Sequence, residues 1–178
     1  MLIDGGLNMR DYDTGERILE PFLRHEGVRK LDVLLLSHPD NDHGGGLAYI
    51  LREFGVKRVL GVPHRDLPSP THQVLHEIID AKEIPHGYAG TINLTSTARI
   101  DLLHPLDEAS TNLMDEDVNN DSLVVKITYG DVRILFPGDI EQGAEKALLT
   151  SGQDLGAEII KVPHHGSKTS SSAEFLDA

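Results

Sequence analysis

A mixed α/β domain is the fold class this sequence predicts, and three observations predict it. Short apolar runs such as Val33–Leu36 alternate with stretches of helical spacing, and glycine or proline closes most of them. The 178 residues are 39% hydrophobic with no low-complexity tract, enough for one domain with a real core.

Taken in order, residues 1–6 read as the end of a strand running into the Gly5-Gly6 turn, with nothing before it to pair locally, so further chain upstream is expected. Ile18, Leu19, Phe22 and Leu23 give residues 16–25 helical spacing, and Gly27 is the stop. A strand is expected over 31–36, a helix over 47–54 ended by Gly55, and a strand over 56–62 ended by Pro63. Val74, Leu75, Ile78 and Ile79 predict a helix over 70–83, followed by strands near 91–94 and 99–103. Residues 107–120 read as loop. Ser122–Tyr129, a Gly130-Asp131 turn and Val132–Phe136 form the clearest β-hairpin. A helix over 141–150 and a strand over 158–162 complete the elements, with no internal repeat and no linker.

Charge and composition narrow the function classes. Lys plus Arg total 16 and Asp plus Glu 29, a net charge of −13 that disfavours long-range capture of polyanions unless metal ions or a local basic patch reverse the field. There is no cysteine, which excludes disulfides, thiolate ligands and a cysteine nucleophile. No basic stretch precedes an apolar core at the N-terminus and no run of 18 apolar residues exists, so neither secretion nor membrane contact by this segment is supported, and localisation stays open.

The segment Ser37-His38-Pro39-Asp40-Asn41-Asp42-His43-Gly44-Gly45-Gly46 is the most informative. Two imidazoles and two carboxylates fall within six positions behind an apolar strand, where they would repel and desolvate one another badly without a cation. A solvated turn accounts for the Pro, Asn, Asp and Gly but not for a histidine at each end. A strand ending in a loop can turn His38 and Asp40 to one ion while Asp42 and His43 serve a second. Two more strand ends carry the same chemistry: Pro137-Gly138-Asp139, whose carboxylate is the natural bridge between two ions about 3.5–4 Å apart, and Pro163-His164-His165-Gly166-Ser167-Lys168. His25, His64, His72, His76, His86 and His104 lack such company and read as surface or hydrogen-bonded structural residues.

The order Asp4-Gly5-Gly6, His38-x-Asp40-x-Asp42-His43, Asn119-Asn120-Asp121-Ser122-Leu123-Val124, Gly138-Asp139 and His164-His165-Gly166-Ser167 resembles the metallo-β-lactamase fold superfamily. Within it the pattern is most similar to the hydrolase domain of ComEC-type DNA-internalisation (competence) proteins, because Asp40 stands where the common HxHxDH motif has histidine. Phosphorylcholine esterases look similar at the same places. The resemblance implies an αββα four-layer sandwich, here trimmed at both ends, since such domains begin with an Asp-Val-Gly-Gln-Gly-Asp-like strand and continue past residues 170–176. Exposed sheet edges are then expected, and with them homo-oligomers.

The likeness also implies roles. His38 and Asp40 would bind one ion, Asp42, His43 and His165 the other, and Asp139 would bridge, giving two divalent ions, zinc or manganese. Such ions lower the pKa of a bridging water to about 7. Asp42, His164 and Lys168 form the catalytic group: His164 protonates the leaving oxygen or holds a phosphate oxygen, and Lys168 with Ser167 neutralises developing charge. Asn119 and Ser122 line the same mouth with Ser167. The reaction expected is phosphodiester hydrolysis, with single-stranded DNA as a candidate substrate. The alternatives are lactone, thioester or β-lactam hydrolysis on the same scaffold, or a non-catalytic module that keeps metal for stability.

Overall fold

The computed structural model describes residues 1–61, 69–87, 90–105 and 118–178. The chain divides into two compact units, residues 1–88 and 89–178, each with its own sheet and its own apolar core.

In the first unit, β1 (Leu2–Ile3), β5 (Leu34–Leu35), β7 (Val59–Leu60) and β8 (His86–Gly87) lie side by side in that order, every pair parallel. Val33, Leu34, Leu35 and Leu36 are all buried, as expected of a parallel strand covered on both faces. The single strand expected over 31–36 is broken. β4 (Lys30–Leu31) pairs with β6 (Gly55–Val56) in a separate two-stranded ladder, and exposed Asp32, ion-paired to Lys57 at 2.5 Å, marks the bend between the two pieces. The strand expected over 56–62 is split in the same way, and its end at Pro63, together with His64, lies outside the described residues.

The first helical stretch is one wide turn at Gly15–Leu19 running into α1 (Glu20–His25). It stops where expected. Gly27 takes φ +71°, its N–H reaches the Arg24 carbonyl, and the Val28 N–H closes on Leu23 at 2.8 Å, a Schellman cap that needs a residue tolerant of that φ. The histidine–aspartate segment, expected as a loop, instead winds into a helical turn, α2 (Asn41–Gly44), with extended Asp40 at its N-cap. α3 (Leu47–Glu53) comes next and buries Leu47, Ala48, Ile50 and Leu51, and α4 (Pro70–Ala81) buries Leu75 and Ile79 on the same core. α4 starts at Pro70 behind Ser69, whose Oγ accepts the His72 N–H. A small hairpin not expected from the sequence, β2 (Asn8–Met9) with β3 (Tyr12–Asp13), pins α2: the Asn41 amide donates to the Asn8 carbonyl at 2.9 Å.

Of the three glycines after His43, Gly45 and Gly46 lie against backbone, while Gly44 lies against the Thr71, Leu36 and Leu75 side chains. Gly46 has ordinary helical φ and ψ, so conformational freedom is not its purpose. A Cβ there would sit 2.2 Å from the Gly5 carbonyl oxygen and 2.7 Å from the Gly15 nitrogen. Gly46→Ala is therefore expected to cost about 1–3 kcal/mol or more, read as a lowered urea midpoint. An unchanged midpoint would show that this contact can open without penalty.

The second unit is a five-stranded sheet in the order β13 (Ile159–Ile160), β12 (Val132–Phe136), β11 (Val124–Tyr129), β10 (Ala98–His104) and β9 (Thr91–Asn93). All pairs are antiparallel except β12 with β13. The expected hairpin is present in register, Tyr129 opposite Val132, with Gly130 at φ +58° in the turn. α5 (Gln142–Thr150) buries Ala144 and Leu148 against Leu103, Val124 and Leu135. The Asn120 side chain caps it from a distant loop, accepting the N–H groups of Glu141 at 2.9 Å and Ala144 at 3.0 Å. α6 (Ala173–Leu176), unforeseen, inserts Phe175 into the same cluster. Most of the loop expected over 107–120 lies outside the described residues; residues 118–121 form a turn.

Candidate metal and catalytic site

In the first unit β1 delivers Asp4 next to the end of β5, and Asp4 organises the histidine segment there. Its carboxylate accepts the Ser37 N–H at 2.7 Å and the Ser37 hydroxyl at 2.8 Å, and it lies 2.8 Å from His43 Nδ1. Ser37 Oγ is 3.1 Å from Nδ1 of both His38 and His43. Both imidazoles are buried, at 2% and 3% exposure, with ring centroids 4.2 Å apart. A carboxylate on Nδ1 fixes the tautomer and aims Nε2 outward, the usual support for a metal-ligating histidine. His38 Nε2 stands 3.8 Å from Asp40 Oδ2, about the separation of two donors that each sit about 2.0–2.2 Å from one ion. Asp40 and Asp42 are exposed.

In the sequence Asp4 belongs only to a pattern and has no role of its own. Its two partners lie 33 and 39 residues further on, a separation no local signal spans. Its backbone, at φ +54°, is held in a region that a non-glycine residue rarely adopts. Asp4→Ala is expected to weaken metal binding by about 10–100-fold, measured by competition with a chelator of known affinity. Unaltered affinity would mean that Asp4 does not set the imidazole.

In the second unit Gly138, at φ +62°, turns the chain after β12 and presents Asp139, 3% exposed. The Asp139 N–H donates to Ser122 Oγ at 3.1 Å, and its two carboxylate oxygens meet Lys161 Nζ at 3.4 Å and His165 Nε2 at 3.1 Å. The last spacing again suits two donors to one cation. His164 Nδ1 pairs with Glu141 Oε1 at 3.1 Å, and the same oxygen accepts the Thr169 hydroxyl at 2.8 Å. Glu145, buried, accepts the Ser171 and Ser172 N–H groups and so pins the chain that leaves the histidine turn.

Two expectations change here. The first concerns the backbone after the strand expected over 158–162: were it to stay extended through the histidine pair, neighbouring residues would point to opposite sides and only one of His164 and His165 could face a cation. The turn is not extended: both take positive φ, 44° and 50°, within a short 3-10 segment, and they are separated by their different carboxylate partners instead. Ser122, expected at the substrate mouth, is fully buried and receives the Asp139 amide, a positioning contact. Asn119 is half-buried, with its carbonyl accepting the Ser122 N–H at 3.0 Å. Ser167 bonds Thr169 at 2.9 Å, and Lys168 is exposed. Burial pushes His104 below the ordinary imidazole value, against the opposing pull of its hydrogen bond to the Asn120 carbonyl, so this ring is neutral and structural at pH 7. Lys161 and Glu141 carry no signal in the sequence, where each reads as an ordinary charged residue at the end of an element.

The sequence pattern of the metallo-beta-lactamase superfamily matches residues 1–178. The chain belongs to that superfamily. Its members are mostly metal-dependent hydrolases that bind divalent ions, and the mixed α/β fold class expected from the sequence agrees with that membership. The chain is 30% identical over 170 residues to ComE operon protein 3 of Bacillus subtilis, covering 93% of this chain and 21% of that protein. It is 29% identical to Recombination protein 2 of Haemophilus influenzae (99% and 20%) and 28% identical to Competence protein ComA of Neisseria gonorrhoeae (94% and 22%). The expected likeness to competence proteins is thus met, although the chain spans about a fifth of the length of these relatives. A solved diphosphatase of the PhnP family aligns at a TM-score of 0.41 and 14% identity, covering 82% of this chain and 51% of that one, too distant to bear on substrate.

The family's divalent ions fit the residues present. Each unit sets one buried and one exposed donor at ligand spacing, His38 with Asp40 in the first and Asp139 with His165 in the second, and one of the imidazoles, His43, has its Nδ1 held by a carboxylate.

Proposed function

We propose that this chain is a two-metal phosphodiester hydrolase, with single-stranded DNA among its substrates. The observation that carries the reading is His43, buried with its Nδ1 on Asp4, which makes Nε2 the atom that would coordinate a cation. In this reading His38 and Asp40 would hold one ion, Asp42, His43 and His165 would hold the second, and Asp139 would be shared between them. The chemistry such ions would supply is an activated water at neutral pH and stabilisation of the charge on the scissile phosphate. Asp4 and Ser37 orient the imidazoles, and Ser122 and Lys161 orient and partly neutralise Asp139. His164, whose Nδ1 lies 3.1 Å from Glu141 Oε1, would serve as proton donor to the leaving oxygen, and Asp42 completes the catalytic group. Lys168 and Ser167 meet the negative charge of the substrate. The phosphodiester preference rests on the competence and recombination relatives, against the net charge of −13.

Incubation of the metal-loaded chain with bis-p-nitrophenyl phosphate and with labelled single-stranded DNA tests this. Turnover of either with manganese or zinc is the expected result. Turnover only of a lactone, thioester or β-lactam reassigns the substrate, and turnover of nothing identifies a metal-stabilised binding module.

Metal preference turns on Asp40. A carboxylate is a harder ligand than imidazole, so the parent chain should work with manganese as well as zinc. Asp40→His should shift the activity ranking toward zinc and, by adding about one unit of positive charge locally, lower the pH at which activity rises. Identical metal rankings and pH profiles for the two proteins would remove Asp40 from the ligand set.

A further inference from the structure

Three histidines that read as isolated in the sequence are not isolated in the first unit. His76 and Asp80 stand four residues apart on α4 and so share a face. The chain then leaves the helix through Glu83, at φ +51°, with the Ile84 N–H closing on the Ile79 carbonyl at 3.0 Å, and returns as β8 with His86 in register with Val59. The return brings His86 over the last turn of α4. His76, Asp80 and His86 each offer one donor atom within 4.8 Å of the others. His86 Nδ1 lies 3.1 Å from the Ile84 carbonyl, so with Nδ1–H donating there, Nε2 is the atom left for coordination. The His76 and His86 rings stand nearly perpendicular, 5.6 Å apart at 82°, and fully buried His72 packs edge-on behind His76 at 4.4 Å. Asp80 and His86 face solvent, which gives an ion a way in.

We propose that His76, Asp80 and His86 form a separate transition-metal site, filled by zinc, that clips the end of α4 to β8. Two imidazoles and one carboxylate with a fourth position open to water make a zinc donor set. Manganese, at the weak end of the affinity order, leaves it largely empty. The ion links two elements that follow one another through the turn at 82–85, so its effect is on stability. The site stands apart from the ligand groups of the proposed hydrolase and does not depend on that activity.

The test compares zinc content and zinc-dependent melting of the parent chain with those of His86→Gln and Asp80→Asn, both exposed positions where folding should survive. Each variant should bind one zinc equivalent fewer than the parent. The rise in Tm on adding zinc at about 100-fold above the dissociation constant should be smaller in each by about 5–10 °C, while metal content with manganese alone stays unchanged. Parent-like zinc stoichiometry and melting in both variants would overturn the site. These readouts are independent of turnover, so a chain that hydrolyses nothing would leave this inference standing and sink only the hydrolase reading.

Discussion

Asp139→Ala is expected to abolish hydrolysis, with a fall in turnover on the order of 10³-fold or more. The carboxylate is nearly inaccessible and over-determined: its amide is on Ser122, one oxygen meets Lys161 and the other meets His165. A group so fixed can hold two cations at one distance, and without it they repel across the site and the reacting centre loses its geometry. The matching measurement is turnover together with metal content. Near-parental turnover with two bound ions would refute the bridging role. Loss of turnover with an intact fold and reduced metal would support it.

The adjacent histidines should separate cleanly. His165 Nε2 lies 3.1 Å from the Asp139 carboxylate, at the spacing of two ligands on one ion, so His165→Ala should lose about one metal equivalent and most of the activity. His164 is held by Glu141 instead, and His164→Ala should keep its metals but lose turnover by about 10²–10⁴-fold, the usual contribution of a general acid. The reverse stoichiometry, with metal lost in His164→Ala and kept in His165→Ala, would exchange the two assignments.

Much of the fold was legible because its signals are local. Periodic apolar positions placed α3, α4 and α5 to within one or two residues, and the Gly130 turn placed the β11–β12 hairpin in its observed register. What was not legible depends on distant partners. The break between Leu31 and Leu34 arises because the two pieces pair with different strands, β6 and β7, and no run of leucines encodes that. β1 and β8 are two residues each, too short to carry a period, and they exist through parallel pairing.

The candidate site divides in the same way. His38, Asp40, Asp42, His43, Asp139, His164 and His165 stand out by residue type and crowding. The residues that orient them do not: Asp4, Lys161 and Glu141 act across 22 to 39 residues or from the far side of a turn. His76 and His86 look isolated in the sequence because helical spacing alone does not reveal that a returning strand completes the group with Asp80.

The central claim, a two-metal phosphodiester hydrolase, is tested most directly by one preparation purified without chelators and loaded with manganese. In it, bound metal is counted on the same sample whose hydrolysis of bis-p-nitrophenyl phosphate and of labelled single-stranded DNA is followed. The account predicts about two ions per chain and turnover of at least one phosphodiester, both reduced in Asp139→Ala. A chain that binds two ions and cleaves neither substrate, or one that cleaves with no bound metal, would contradict it.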